Sequence, residues 1–320
     1  MNAIERAAAV VLAGAAIVMA GSAAQNSPPK RLKGTVSLSG AWALYPMAVT
    51  WAEEFRKAQP GVRIDVQAGG AGKGMADALA GMADFGMVSR EIHPDEVKKG
   101  ALAFAVAKDG VVATVSARNP LLAEIMKRGI AREHFVAIWI TGADKTWGQV
   151  LGGTASAAAI HAFTRSDACG AADTWAIYLG KRQEDLGGVG VYGDPGLADA
   201  VRRDPLAIGF NNVNFAYDPK TLAPVAGIAV VPIDLDGSGS IEPSEAFYAT
   251  RDDITRAILD KIYPSPPARD LYLVSKGRPS APAASEFLRW ILTEGQRFVP
   301  ETGFIPVAPE QLKEGLARLK

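Results

Sequence analysis

Three times along this chain a strand-like run ends in a loop of small residues that opens a helix. The junctions are SGAWALYP at 39–46, AGGAGKG at 68–74 and RSDACGA at 165–171. The first follows TVSLS at 35–39, whose alternation of apolar and polar residues marks a half-buried strand. Pro46 suits the first position of a helix, which should run to about Lys57 and stop at Gln59-Pro60-Gly61. RIDVQ at 63–67 is a second strand, a short helix is expected from Met75 to Ala80, and DFGMV at 84–88 is a third strand. Such repeated units predict an α/β sheet with parallel strands.

The pattern continues with a strand at 111–115, a strand at 159–164, a loop at 165–170 and a helix at 171–179. LAIGF at 206–210 is another strand; an amphipathic helix at 284–292 is followed by a strand-like run at 303–307. A length of 320 residues suggests about two domains. Lys plus Arg equals Asp plus Glu at 34 each, which argues against a nucleic-acid binder and a charge-driven membrane-surface protein. The single Cys169 excludes an internal disulfide and a cysteine zinc site, and His93, His134 and His161 have no i,i+4 pairing for a histidine metal centre.

The N-terminus reads as an export signal. Arg6 precedes an apolar run at 7–20, short for a membrane span of about 20 residues, and Gly21, Ser22, Ala23 and Ala24 follow. A signal peptide over 1–24 and a polar tether over 25–33 are therefore expected, with a periplasmic or secreted mature protein; a membrane anchor is the alternative. No cysteine lies near the cut, so lipid attachment there is excluded.

A helix start presents unpaired N–H donors and the positive end of the helix dipole, and small residues let a ligand approach them. Three such starts meeting at one point would cage an oxyanion, with Arg165 as counter-charge. Taken singly, each loop is also an ordinary tight turn, and Arg165 an ordinary structural arginine. The 69–74 loop is no nucleotide P-loop, because Gly74 follows Lys73 where Ser or Thr should bind magnesium.

Five stretches in order, at 37–55, 68–90, 163–180, 204–218 and 269–307, resemble the phosphate-binding family of periplasmic substrate-binding proteins of ABC transporters. The resemblance implies a two-lobed type II periplasmic-binding-protein fold, α/β, with the ligand cleft between lobes that close by hinge motion. Lobe one would be 34–115 plus 271–320 and lobe two 116–270, with crossovers near 112–117 and 271–275. Carried over by position, the ligand would meet Gly40, Ala41, Trp42 and Tyr45, Ala71 and Gly72, Ser89, and Arg165 with Asp167, Cys169 and Gly170.

Several hydroxyl donors usual in that family are missing. Ala41, Trp42 and Ala43 stand in the first loop, Ala71 in the second, and Cys169 and Ala171 flank Gly170 in the third. Each hydrogen bond to a charged ligand is worth roughly 1.5–3 kcal/mol, so phosphate binding should be weaker than in a hydroxyl-rich relative, or the anion should differ. A cysteine at a helix start can have a lowered pKa; a small residue in place of serine is the plainer reading of Cys169.

A separate motif lies at 234–245, DLDGSGSIEPSE. It has Asp234, Asp236 and Ser238 at positions one, three and five of a calcium loop, and Gly239 at the sharp turn. Ser240 offers its carbonyl, Ile241 is the apolar eighth residue, Glu242 is ninth and Glu245 is the bidentate twelfth. The entering segment 228–233 looks like a strand, so a single structural Ca²⁺ is expected, with hard oxygen ligands favouring it over zinc.

The leading expectation is a monomeric protein that captures a small oxyanion, most simply phosphate, for an ABC-type membrane permease. The alternatives are a calcium-stabilised extracellular sensor or interaction protein on the same fold, and an exported phosphatase-like enzyme. The three loops contain no nucleophile–base pair and no metal cluster, which argues against the enzyme.

Overall fold

The computed structural model describes residues 32–152 and 157–320. The expected signal at 1–24 and nearly all of the tether lie outside the described residues.

The opening strand β1, Gly34–Gly40, leads through a single 3₁₀ turn at Trp42–Leu44 into helix α1, Tyr45–Ala58. Met47, Trp51 and Phe55 recur at helical spacing and are buried, and Pro46 sits in the first turn where it costs no hydrogen bond. Strand β2, Val62–Ala68, helix α2, Ala71–Ala80, and strand β3, Phe85–Val88, complete the first unit. Helix α2 begins at Ala71 rather than at the expected Met75, so Gly72 and Gly74 are inside the helix.

The expected strand at 111–115 is the far end of a sixteen-residue strand, β4, Ala101–Ser116. The second half contains β5, His161–Arg165, helix α3, Gly170–Tyr178, β6, Val189–Val191, helix α4, Gly193–Arg203, β7, Ala207–Asn212, and β8, Ile228–Val230. Helix α5, Arg251–Leu259, precedes β9, Ala268–Lys276, and helices α6, Pro282–Leu292, and α7, Pro309–Arg318, close the chain. The expected strand at 303–307 does not form. Only an isolated bridge between Ile305 and Lys108 is made there.

One sheet runs β2-β1-β3-β9-β4-β7-β5-β6, with β8 also on β4. The β1–β2 and β1–β3 pairs are parallel, as are β5–β6 and β5–β7, whereas β9 and β4 run antiparallel to their neighbours. Strand β4 changes partner midway: Ala101–Gly110 pairs with β9, and Val111–Val115 with β7.

Two hydrophobic cores follow that change. One holds Val36, Trp51, Phe85, Phe104, Leu271 and Phe287. The other holds Val112, Phe135, Trp139, Trp175, Phe210 and Tyr263. The chain therefore passes between lobes at about Gly110 on β4 and Ala268 on β9, a few residues before the 112–117 and 271–275 expected from the resemblance. Ligands of such α/β halves bind beyond the carboxyl ends of the parallel strands, which is where β1, β3, β5 and β7 deliver their loops.

Candidate functional site

The three helix starts meet. The Gly72 N–H, at the start of α2, donates to the Ala168 carbonyl of the third loop at 3.0 Å. A Cβ on Gly70 would lie 2.8 Å from that carbonyl, and one on Gly170 would lie 2.2 Å from the Ser89 backbone oxygen. Ser89, at the end of β3, is thus packed onto the start of α3, and the lobes touch at two places around the predicted site. The first loop is anchored through Gly40, whose carbonyl accepts the N–H groups of Gly69 and Gly70 at 2.8 and 3.0 Å.

Not every expected donor is available. The Ala41 N–H is given to the Met87 carbonyl at 2.8 Å, the Tyr45 N–H closes onto the Trp42 carbonyl, and that of Gly72 is held by Ala168. By contrast, the backbone N–H groups of Ala43, Ala71, Gly170 and Ala171 have no hydrogen-bond partner among the described residues. These are buried residues; Ala43, Ala71 and Ala171 are no more than 2% exposed. Buried N–H groups are almost always paired, so such a set at converging helix starts is what a site for an oxyanion requires.

Arg165, the expected counter-charge, is already paired with carboxylates. It is wholly buried at the end of β5; its Nε and Nη2 donate to the two oxygens of Asp167 at 2.8 and 2.7 Å, and its Nη1 to Asp194 at 2.6 Å. Burial works against its charge, but Asp194 and Asp167 hold its pKa above the ordinary value. The guanidinium has five donors, so two remain for a ligand. The negative charge of a bound anion would be met by backbone donors and helix dipoles rather than by an unpaired cation.

The residues that position Arg165 were not singled out in the sequence. Asp194 lies in the first turn of α4, where a carboxylate suits the helix dipole, and its second oxygen accepts the Asn212 side-chain amide at 2.8 Å. Gln183 clamps the third loop, accepting from the Cys169 N–H at 3.2 Å and donating to the Asp167 carbonyl at 2.7 Å. An acid beside a helix start is the only sequence signal for Asp194, and Gln183 carries none.

Cys169 is the N-cap of α3, its sulfur accepting the Ala172 N–H at 3.4 Å. Burial pushes its thiol up to about 12, overturning the lowered pKa that a helix start suggests. The residue acts as serine would, capping the helix.

Beneath the site, Arg269 and Asp109 face each other across β9 and β4 at the lobe junction, 3.9 Å apart. Arg269 also bonds to Asn212 and, at 3.4 Å, to the Gly170 carbonyl, tying the hinge strand to the third helix start. Burial pushes the Asp109 carboxyl up to about 7, against the pull of Arg269. Burial likewise lowers the Arg269 pKa despite Asp109. Desolvation outweighs attraction here because the contact is long and the Asp109 Oδ2 accepts no hydrogen bond among the described residues.

The 234–245 loop sits apart from this cleft. Ligand oxygens of Asp234, Asp236 and Glu245 lie within 4.8 Å of one another. Asp234 and Glu245 are 6% and 4% exposed, and none of the three forms an ion pair among the described residues. Backbone N–H groups of Ser238 and Gly239 bind Asp234, and those of Leu235 and Glu242 bind Glu245. The Ser238 hydroxyl donates to the Ser240 carbonyl at 3.0 Å, and the exposed Glu242 carboxylate stands outside the cluster. The Ile241 N–H bonds to the Lys127 carbonyl at 2.9 Å, which docks the loop on the last turn of the short helix Leu122–Arg128.

The architecture agrees with the comparisons. The sequence model of the PBP-like family, a PBP superfamily domain, matches residues 24–294, and the chain belongs to that family. Among curated relatives it is 27% identical over 316 residues to the phosphate-binding protein PstS of Xylella fastidiosa, covering 88% of this chain and 84% of that one. The PstS of Bacillus subtilis is 26% identical over 282 residues, covering 87% and 82%. Among solved structures, a protein from Clostridium perfringens assigned to phosphate ABC-transporter substrate binding, with bound phosphate, superposes with a TM-score of 0.69 at 24% identity. That match covers 86% of this chain and all of the other. An ABC-type phosphate transport receptor from Vibrio cholerae superposes with a TM-score of 0.61 at 19% identity, covering 86% of this chain and 100% of that one. None of the described helices is long and apolar enough to cross a membrane.

Proposed function

We propose that this chain is the binding component of an ABC importer for phosphate, holding the anion between its lobes outside the cytoplasm and presenting it to a membrane permease. The observation that carries this reading is the set of buried, unpartnered N–H groups of Ala43, Ala71, Gly170 and Ala171 at helix starts that touch one another. The phosphate-binding relatives, matched over more than four-fifths of their length, supply the ligand. Opening about β4 and β9 would admit the anion, and closure would bring the third loop back onto α2 and Ser89. The Cys169 thiol, accepting the Ala172 N–H as the helix cap and held protonated by burial, offers no nucleophile for an enzymatic reading. Calorimetric titration with phosphate, against sulfate as control, tests the function. Saturable phosphate binding without turnover is expected, and no phosphate binding by the folded protein would sink it.

The 234–245 loop completes the reading as a structural Ca²⁺ site. Three carboxylates gathered within 4.8 Å, two of them almost fully buried and in no ion pair among the described residues, repel one another unless a divalent ion joins them. Asp234, Asp236 and Glu245 would hold it, with the Ser238 hydroxyl and the Ser240 carbonyl beside them and Glu242 reaching it only through water. Chelation should lower the melting temperature, since an ion bound only by the folded state stabilises it by mass action. Asp234→Ala should abolish the chelator's effect; a wild-type melt indifferent to chelator would remove calcium from the account.

A further inference from the structure

We propose that Trp42 is an inter-lobe latch: its indole, carried on the first helix start of lobe one, docks on Gly193 and Phe215 of lobe two and sets how long the closed cleft retains its ligand. The inference rests on the binding function proposed above and adds a residue that controls it.

Trp42 follows the end of β1, yet its ring lies against the turn that opens α4 in the other lobe. A Cβ placed on Gly193 would be 3.3 Å from the indole Cε2 and 3.4 Å from Nε1. Gly193 has φ +73°, a backbone that side chains rarely adopt, so the surface beneath the ring is bare backbone. Phe215 meets the indole edge to face, with centroids 6.5 Å apart and planes at 82°. That is a favourable aromatic geometry, and it joins residues on opposite sides of the hinge.

The turn under the ring is the one that holds Arg165. The Gly193 N–H donates to Asp167 at 3.2 Å, and the next residue, Asp194, grips the Arg165 guanidinium. The indole therefore covers the backbone of the Arg165 cluster when the lobes are shut and must leave it when they part. Its Nε1 is buried with no hydrogen-bond partner among the described residues, so ring packing rather than a hydrogen bond holds it. In the first loop, where the resembling family usually has Ser or Thr, an aromatic ring bridges the lobes and supplies closure by contact area. Contacts made only in the closed state act mainly on dissociation.

The test compares wild type with Trp42→Ala, Trp42→Phe and Phe215→Ala. Stopped-flow release of inorganic phosphate should be about tenfold faster in Trp42→Ala and Phe215→Ala, with association within about twofold of wild type. Trp42→Phe, which keeps a ring and loses the N–H, should restore most of the slow release. Melting curves of the two alanine variants and their double variant, with and without phosphate, give a ligand-independent readout. The double variant should melt little lower than the worse single variant, because both remove one contact. Wild type that binds phosphate while Trp42→Ala releases it at the wild-type rate would overturn the latch. So would Trp42→Phe behaving as Trp42→Ala beside a silent Phe215→Ala, which would make the indole N–H a direct ligand contact. If wild type binds no phosphate, the function fails, and the latch stands or falls on the melting coupling alone. Additive losses in both conditions would then reject it.

Discussion

At Arg165 two carboxylates lie 2.6 and 2.7 Å from one guanidinium, and none of the three groups reaches solvent to any extent that could replace a lost partner. Removing one member of a buried charge cluster leaves the rest desolvated and unpaired. Arg165→Ala should therefore lower unfolding stability by about 3–5 kcal/mol in urea titration, besides weakening anion binding. Arg165→Lys should recover only part, because a single ammonium cannot serve Asp167 bidentately and reach Asp194 as well. Wild-type stability in Arg165→Ala would show the cluster to be dispensable. Asp109 adds a pH dependence. Burial raises its folded pKa from the ordinary carboxylate range to about 7, so the folded state favours the protonated form. Its contribution is fully present below the unfolded pKa and is lost as pH rises through about 7. Asp109→Asn should flatten the fall in melting temperature between acidic and mildly alkaline buffers; equal slopes in both proteins would contradict the assignment.

The glycines of the 69–74 segment divide by what stands opposite each one. A Cβ on Gly74 would lie 2.6 Å from the Met87 carbonyl, 2.7 Å from that of Ser39 and 2.9 Å from the Gly40 Cα. These are backbone atoms of β1 and β3 that cannot give way, so Gly74 sets how closely the helix lies on the sheet. Gly69 differs: its added Cβ would meet the Lys73 side chain, which can swing aside. Gly74→Ala should cost about 1–3 kcal/mol or more, as overpacking does, while Gly69→Ala should be nearly neutral. Thermal melts of the two variants check this, and equal melting temperatures would defeat it. The loop that looks in sequence like one anion cradle thus does two jobs: Gly74 seats the helix, while Gly70 and Gly72 let the third loop approach.

For the molecule as a whole, the decisive element is β4, which belongs to both lobes. Nine of its first ten residues pair with β9, with Val106 left out at a bulge, and the next five pair with β7, so the lobes are joined by antiparallel ladder rather than by a loose linker. Such a joint permits bending about two strands and restrains twist and translation, the motion of a hinge. Contacts from Gly72 to Ala168 and from Ser89 to Gly170 close the opposite side. Small-angle scattering should show the radius of gyration falling when phosphate is added, and the fall should be smaller in Trp42→Ala. An unchanged radius in wild type that binds phosphate would mean that the lobes do not move.

Much of the fold was legible in the residues themselves. Alternation at 35–39 and 63–67, Pro46 at a helix start and the glycine loops between them report local backbone preferences, which neighbouring residues set. The meeting of the three loops was expected from their likeness and order, and it is there. The state of each donor was not legible. That Ala41 gives its N–H to Met87, that Ala168 fills the start of α2, and that Asp194 joins the nearby Asp167 in neutralising Arg165 all depend on residues about 30 to 100 positions away. The 303–307 run has strand character in sequence, yet only Ile305 finds a partner strand to bridge. The 234–245 motif is a pattern within twelve consecutive residues, so spacing alone is enough to propose calcium there. The placement of Trp42 on Gly193 could not, since a ring in one lobe acquires its surface only when the chain has returned from the other.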